Sequence, residues 1–183
     1  KKFERYYTSR RLPNSLSSNI VWSFFEDADR NLWIGTLGGG LNRWPIQSRL
    51  EATPNFIHYS DNIALPSLNI YGIHGDNNGR LWVSHSKGIT SIDPLTLVSY
   101  QYGIKDGLQS TEFNLGASYK SKSGTMFFGG IRGFNAINPD LVSSDRIPPQ
   151  VAISQIKVMN ERREFDAPYH ALESIELSYQ DRM

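Results

Sequence analysis

A short acidic segment near the N-terminus carries the side chains most suited to binding a metal ion. The residues DADRN at 27–31 place oxygen-bearing side chains at alternate positions, as in the first half of a calcium-binding loop. Such a loop also needs a glycine at its sixth position and a bidentate acid at its twelfth, and this chain has Leu32 and Gly38 there. Because Asp and Asn also favour tight turns, we interpret the segment as a hairpin turn and predict no metal site.

Two other patterns could carry chemistry, and each is incomplete. The run of glycines at 38–40 could cradle a phosphate, but neither the Lys-Ser/Thr pair nor the helix of a phosphate-binding loop follows it. His74 and His85 flank one predicted hairpin and could approach each other across it, although no histidines have the spacing of a helical metal site. The chain has no cysteine and no G-x-S-x-G nucleophile motif. We therefore predict no catalytic residue, no metal and no cofactor.

Composition excludes several classes of partner. The chain has 183 residues, of which 19 are basic and 18 acidic, so its net charge of +1 gives no basis for binding nucleic acid. Hydrophobic residues make up 39%, enough to form a core. No apolar run is long enough to span a bilayer, so we expect no membrane contact by this segment.

The residues named above lie in a sequence pattern that occurs three times along the chain. Residues 20–45, 70–94 and 115–139 have the same order of strand-like runs and turns. Their shared aromatic position falls at residues 33, 82 and 127, which gives a period of about 45–50 residues, typical of β-propeller blades. The positions that we assign to the structural repeat are Asp27, Trp33, Gly35, Gly40, Asp76, Trp82, Gly88, Phe127, Gly129 and Gly133.

Each copy divides into short antiparallel strands. An alternating strand with a small residue at its middle (Ser23, Gly72 or Ala117) precedes a polar turn, a second strand, a glycine-bearing turn and a third strand. Fourth strands are predicted at 56–59 and 98–102. Residues 3–6 have a similar sequence, which predicts the outer strand of a preceding blade. The fold class is therefore all-β: a partial β-propeller of about three four-stranded blades, followed by the first strands of a β-sandwich.

The repeat resembles a known family. The first copy, from Val21 to Arg43, has the pattern V-x-S-x-x-E-D-x-x-x-N-L-W-I-G-T-x-x-G-G-L-N-R, which is similar to that of two-component regulator propellers (Reg_prop). The third copy lacks both the aspartate and the tryptophan, so the repeat has decayed there. The tail, with alternating apolar residues over 151–158 and a further strand at 175–179, resembles the start of a Y_Y_Y domain. We predict domains at 1–143 and 147–183, the second incomplete.

The resemblance implies a function. Such propellers resemble the sensing regions of bacterial inner-membrane receptors whose outputs are histidine kinases, often hybrid ones, or diguanylate cyclases. It implies a periplasmic or otherwise extracytoplasmic module that binds a small molecule or saccharide and is not itself an enzyme. An enzyme acting on polysaccharide and a protein-interaction propeller are the alternatives. The open sheet edges also predict self-association, either through those edges or as a receptor dimer.

Overall fold

The chain folds as a series of antiparallel sheets. A computed structural model describes residues 3–51, 54–60, 63, 65–142, 156–158 and 161–163. Residues 1–142 form one compact unit and residues 143–183 a second. No helix in the described residues is long and apolar enough to cross a membrane. The predicted all-β architecture is confirmed, with 3-10 turns as the only helical elements that the described ranges contain.

The first two blades are four-stranded meanders in which every strand pairs antiparallel with its neighbour along the chain. The strands of the first blade are β1 (Val21–Glu26), β2 (Leu32–Thr36), β3 (Leu41–Trp44) and β4 (Ile57–His58). Those of the second are β5 (Ile70–Gly75), β6 (Leu81–His85), β7 (Gly88–Ile92) and β8 (Ser99–Tyr102).

The third blade has three strands within the described residues. They are β9 (Phe113–Lys120), β10 (Met126–Gly130) and β11 (Gly133–Ile137), with β10 in the middle. In the second unit, β12 (Ile156–Val158) pairs with β13 (Glu161–Arg163). β12 coincides with the end of the alternating apolar stretch predicted over 151–158, and the strand predicted at 175–179 lies outside the described residues.

One predicted strand is absent. Residues 3–6 have no strand structure, because no described strand runs beside them to supply the partners of a ladder. The segment instead packs through its side chains. The Tyr6 ring meets Trp44 edge to face at 4.6 Å between ring centroids and lies 6.1 Å from Phe56.

Of the three hydrophobic core clusters in the described residues, two join neighbouring blades, and the third (Leu16, Ile34 and Phe56) lies on the first blade and the loop before it. One cluster joins Trp33, Leu41 and Tyr59 of the first blade to Ile70, Ile73, Leu81, Val83 and Ile92 of the second. A second cluster joins Trp82 and Ile89 to Leu108, Phe113, Met126 and Phe128 around the third blade. Strand alternation produces this arrangement, since successive side chains point toward the preceding and the following blade in turn.

Candidate functional site

The repeated aspartate and tryptophan are partners within one blade. Trp33 Nε1 donates to Asp27 Oδ2 at 2.8 Å, while the backbone N–H of Asn31 donates to Asp27 Oδ1 at 2.8 Å. The Asn31 side-chain amide donates to the same carboxylate at 3.0 and 3.2 Å. Both carboxylate oxygens of Asp27 therefore hold the turn and the indole.

The second blade repeats this arrangement, and the third replaces it. Trp82 Nε1 donates to Asp76 Oδ2 at 3.0 Å, and the Arg80 backbone N–H donates to Asp76 Oδ1 at 2.9 Å. The third blade has Ser121 and Phe127 at these positions, so the carboxylate and the indole N–H are lost together. The backbone hydrogen bond that closes the turn is present in all three blades, at 3.0, 2.9 and 2.8 Å.

A tyrosine at the end of the outer strand or directly after it packs on each of the two repeated tryptophans, which sequence reasoning missed. Tyr59 meets Trp33 edge to face at 4.7 Å, and Tyr102 stacks on Trp82 at 5.3 Å between ring centroids. Arg43 adds a cation–π contact at 5.7 Å over Trp33 and donates to the Tyr59 hydroxyl at 3.2 Å. The two tyrosines hold the same place in the predicted fourth strands, and that repetition was the available signal.

In the glycine run at 38–40, Gly38 and Gly40 form a turn and direct their backbone N–H groups to other residues of the chain. Gly38 N–H donates to Asn69 Oδ1 at 3.0 Å, and Gly40 N–H donates to the Leu68 carbonyl at 2.9 Å, so both donors hold the loop that enters the second blade. Gly38 and Gly40 have φ of 73° and 68°, in the left-handed region that favours glycine. Gly88 and Gly133 adopt the same region, with φ of 120° and 99°.

The histidines that flank the second blade's hairpin do not meet. The strand register pairs His74 with Trp82 and His85 with Ile70, so the two residues lie at opposite ends of β5 and β6. The described residues contain no cluster of three or more His, Asp or Glu side chains suited to a metal ion. The suggestion of a ligand pair across the hairpin is therefore wrong.

His85 is a buried, neutral structural group. Its side chain is fully buried, its Nδ1 accepts the Lys87 backbone N–H at 3.1 Å, and its Nε2 lies 2.8 Å from Thr90 Oγ1. Since Nδ1 accepts, Nε2 carries the proton and donates to the threonine. Burial, with a smaller contribution from the Lys87 charge, lowers the pKa of His85 to about 4.

His74 differs because one of its nitrogens has no partner. Its Nε2 is buried and makes no hydrogen bond within the described part of the chain. The ring lies 5.6 Å from the Phe128 ring. Burial and then the nearby Lys120 ammonium lower the pKa of His74 below its usual value. A neutral, buried imidazole against the Phe128 ring is suited to packing between two blades.

A cleft of about 620 Å³ lies beside the first blade, and one of its walls is a segment without strand structure. Residues 3–7 form one side of it, and Phe3 in that segment is 98% exposed. A specific site requires side chains held by packing on both sides, so we place no ligand in this cleft.

Two aromatic residues that the repeat does not share form the best candidate for ligand contact. Trp22 and Tyr71 are each the extra residue of a β-bulge, because the register passes from Val21 to Ser23 in β1 and from Ile70 to Gly72 in β5. Both side chains are half-buried, and their rings lie 5.2 Å apart with their planes tilted by 35°. Adjacent innermost strands thus present a paired aromatic surface.

The third blade has a wider irregularity at the equivalent position. Between the pairs Phe128–Ser118 and Gly130–Phe113, β9 contains more residues than β10. Gly116 there has φ of 73°, and Leu115 beside it is 51% exposed. All three blades therefore depart from regular pairing in their innermost strand, and only the first two place an aromatic ring there.

Comparison with known proteins identifies the repeat. The sequence profile described as two component regulator propeller matches residues 15–38 and 64–87. These segments are two-component regulator propeller repeats. Each includes the first two strands of a blade and therefore the aspartate–tryptophan pair, so the matched pattern coincides with the bonds described above.

A curated relative and several solved structures agree with this assignment. The chain is 29% identical over 92 residues to a protein named Histidine kinase P4 of Formosa agariphila, which is 50% of this chain and 7% of that protein. Two crystal structures from B. thetaiotaomicron are also similar to this chain. Both are of the extracellular domain of the same protein, which is described in one as a hybrid two component system and in the other as a one component system. They are 26% and 25% identical, have TM-scores of 0.59 and 0.58, and match 69% and 79% of this chain.

The likeness covers a small part of each relative. The chain spans 18% and 20% of the two extracellular domains. PorZ of Porphyromonas gingivalis, a surface component of the type-IX secretion system, has a TM-score of 0.55 at 12% identity over 73% of this chain and 19% of PorZ, which shows a common fold alone. The chain thus shares its fold with part of these extracellular domains and carries two matches to the regulator-propeller repeat.

Proposed function

We propose that the chain is part of the ligand-sensing, extracytoplasmic region of a membrane receptor that signals through a histidine kinase. The observation that carries the proposal is the pair of regulator-propeller repeats in a fold similar to extracellular domains of two-component systems. The curated relative is named a histidine kinase, which favours a kinase over a diguanylate cyclase as the output. In a bacterium with two membranes, the region would lie in the periplasm.

The ligand in this proposal is a neutral saccharide that contacts Trp22 and Tyr71. The C–H face of a sugar ring packs well on an aromatic ring, and the paired rings offer such a surface without a charge of their own. The repeated tryptophans are unsuited to this role, because Trp33 and Trp82 are 1% and 2% exposed. Ligand binding would shift the receptor between two states, with the predicted Y_Y_Y domain passing the change toward the membrane.

Binding can be tested by isothermal titration of the 183-residue chain with neutral cello-, malto-, xylo-, manno- and galacto-oligosaccharides. We expect one class to bind, and the double variant Trp22→Ala/Tyr71→Ala to weaken binding at least about tenfold, or about 1.4 kcal/mol. Tyr7→Ala is the matched control, because Tyr7 is an exposed tyrosine (52%) on the N-terminal segment. If no class binds, or if the double variant binds as well as the parent chain, this ligand assignment fails.

The signalling role has a separate test. In membrane vesicles that contain the longer receptor, the bound glycan should change the rate of histidine phosphorylation from ATP. A receptor that binds the glycan through these residues but shows no phosphorylation would refute the kinase output while leaving the ligand site intact.

A further inference from the structure

The interface between the second and third blades differs in chemistry from the interface between the first and second. Phe25, His74 and Tyr119 hold the same place in the innermost strands, since they pair with positions 33, 82 and 127 of the repeat. The Phe25 ring lies against Gly75 of the next blade, where a Cβ atom would come within 2.4 Å of Phe25 Cζ. At this position, the interface between the first two blades is therefore closed by a phenyl ring on a glycine.

The next interface replaces this pair by two side chains that can each carry a positive charge. His74 lies beside the third blade, with its ring 5.6 Å from the Phe128 ring. In the third blade, Lys120 takes the place that Gly75 has in the second. Its Nζ donates to the Gly75 carbonyl at 2.6 Å, which fixes an ammonium group on the strand that holds His74.

The His74 ring is held in a way that disfavours its charged form. Its Nε2 is buried and makes no hydrogen bond within the described part of the chain. A charged imidazole has a proton on both ring nitrogens, so the Nε2–H group would be buried without an acceptor. Burial and then the Lys120 charge accordingly lower the pKa of His74.

The described groups around His74 do not offset such a charge. β9 contributes the Lys120 ammonium, which has the same sign. β10 contributes the Phe128 ring and β6 contributes Trp82, and both side chains are uncharged. The acid closest along the chain is Asp76, but its carboxylate already accepts from the Trp82 indole and from two backbone N–H groups of its own turn. A proton on His74 would therefore place two cations side by side.

We propose that mild acid loosens the contact between the second and third blades, because a proton on His74 puts a second cation beside Lys120 at an interface that neutral packing closes. The interface between the first two blades, with Phe25 on Gly75, has no group that titrates at this position. The third blade directly precedes residue 143, where the second unit begins, so its loosening would act on the segment that leads to that unit. The chain would then respond to acidity independently of saccharide binding.

The sign and the size of the effect follow from proton binding. The pKa of His74 in the closed interface lies below the usual value of 6.5, so the opened interface binds more protons as the pH falls below about 6.5. At about pH 5.5, an exposed ring has about ten protonated forms for each neutral one, which limits the increase in opening to about tenfold.

Hydrogen exchange of the 183-residue chain, measured by mass spectrometry and corrected for the intrinsic effect of pH, tests the proposal. Protection of β9 and β10 should fall about three- to tenfold between about pH 7 and about pH 5.5. It should fall much less in His74→Phe, which copies Phe25 of the first blade. His85 is present in both proteins, so the difference between them belongs to His74. The same fall in His74→Phe as in the parent chain would overturn the proposal.

Lys120→Met gives a second test that keeps His74 in place. Without the ammonium, His74 binds a proton more easily in the closed interface, so the fall in protection with pH should become smaller but remain, because burial is the larger cause of the lowered pKa. The lost bond to Gly75 lowers protection at every pH, so the readout is the change with pH. Lys122→Met is the matched control, since Lys122 is an exposed lysine in the following turn, and it should leave the fall unchanged.

Two further results would overturn the proposal. One is an equal fall in Lys120→Met and in the parent chain. The other is a proton NMR titration in which the His74 ring, assigned by its absence from the spectrum of His74→Phe, has a pKa of 6.5 or above.

Discussion

Replacing Asp27 and Trp33 together should lower the free energy of unfolding by less than the sum of the two single replacements, because the two side chains are hydrogen-bonded to each other. Replacing Asp27 with Ser, the residue of the third blade, removes the acceptor of two buried groups, Trp33 Nε1 and the Asn31 backbone N–H. Trp33 and Asn31 are only 1% and 3% exposed, so water cannot replace the lost oxygens. At about 1–3 kcal/mol for each orphaned donor, Asp27→Ser should lower the free energy of unfolding by about 2–6 kcal/mol.

The tryptophan variant completes a double-mutant cycle. Trp33→Phe should cost roughly 2 kcal/mol, since a phenyl ring fills less of the buried space than the indole does. In the double variant no indole N–H is left unpaired, so the aspartate change should cost less than it does alone. We expect a coupling energy of about 1–3 kcal/mol between the two positions. The third blade, with Ser121 and Phe127, is the natural form of this double replacement.

Urea unfolding followed by circular dichroism measures all four proteins without relying on tryptophan fluorescence. The same cycle at Asp76 and Trp82 is the internal control, because its indole–carboxylate bond is 3.0 Å long and its tryptophan is equally buried. A coupling energy below about 0.5 kcal/mol at both sites would mean that the two residues contribute independently and would refute the interpretation.

Three further predictions concern backbone conformation, packing and pH. Arg30 has φ of 63° where the other two turns have glycine, so Arg30→Gly should raise the free energy of unfolding by about 1 kcal/mol in the same urea assay. Gly72→Ala should lower it by about 1–3 kcal/mol, because the new Cβ would lie 2.4 Å from Ser118 Oγ, whereas Gly103→Ala, with nothing within 4 Å, should change it little. His85 has a pKa of about 4 when folded and 6.5 when unfolded, so the unfolded chain binds more protons between these values. The free energy of unfolding should therefore fall by up to about 3 kcal/mol as the pH drops from 7 to 4. His85→Thr, which copies Thr36 of the first blade, should make that fall smaller. The same pH dependence in the variant and the parent chain would contradict this prediction.

The sequence was sufficient for the fold because period, turns and strand alternation all repeat. The recurrence at 33, 82 and 127 and the glycines in the turns indicated the blades before any contact was known. The joint loss of the aspartate and the tryptophan was visible too, but its cause was not. Only the structure brings Trp33 Nε1 onto Asp27, six residues earlier along the chain.

The candidate site depended on features that periodicity does not encode. Trp22 and Tyr71 come together because a bulge shifts the register by one residue in each of two strands, and bulges have no firm sequence signal. The interpretation of His74 and His85 as a possible pair failed for a related reason. It assumed that they face each other, whereas the register separates them by the length of the strand. The prediction of a strand at 3–6 was wrong because a strand needs a neighbouring strand as well as a suitable sequence.

The location of the core between blades has a consequence for how this array can evolve. Since the two clusters between blades each take side chains from two sheets, the stability of a blade depends on its neighbour as well as on its own sequence. The turns and the Asp–Trp bonds of the first two blades are nearly the same and could replace each other. The two clusters between blades could not, because one is mostly aliphatic and the other contains Phe and Met side chains. Exchanging two blades by recombination would keep the turns and the Asp–Trp bonds, but it would bring together side chains from neighbouring blades that do not fit each other. The side chains that the repeats do not share thus determine the order of the blades.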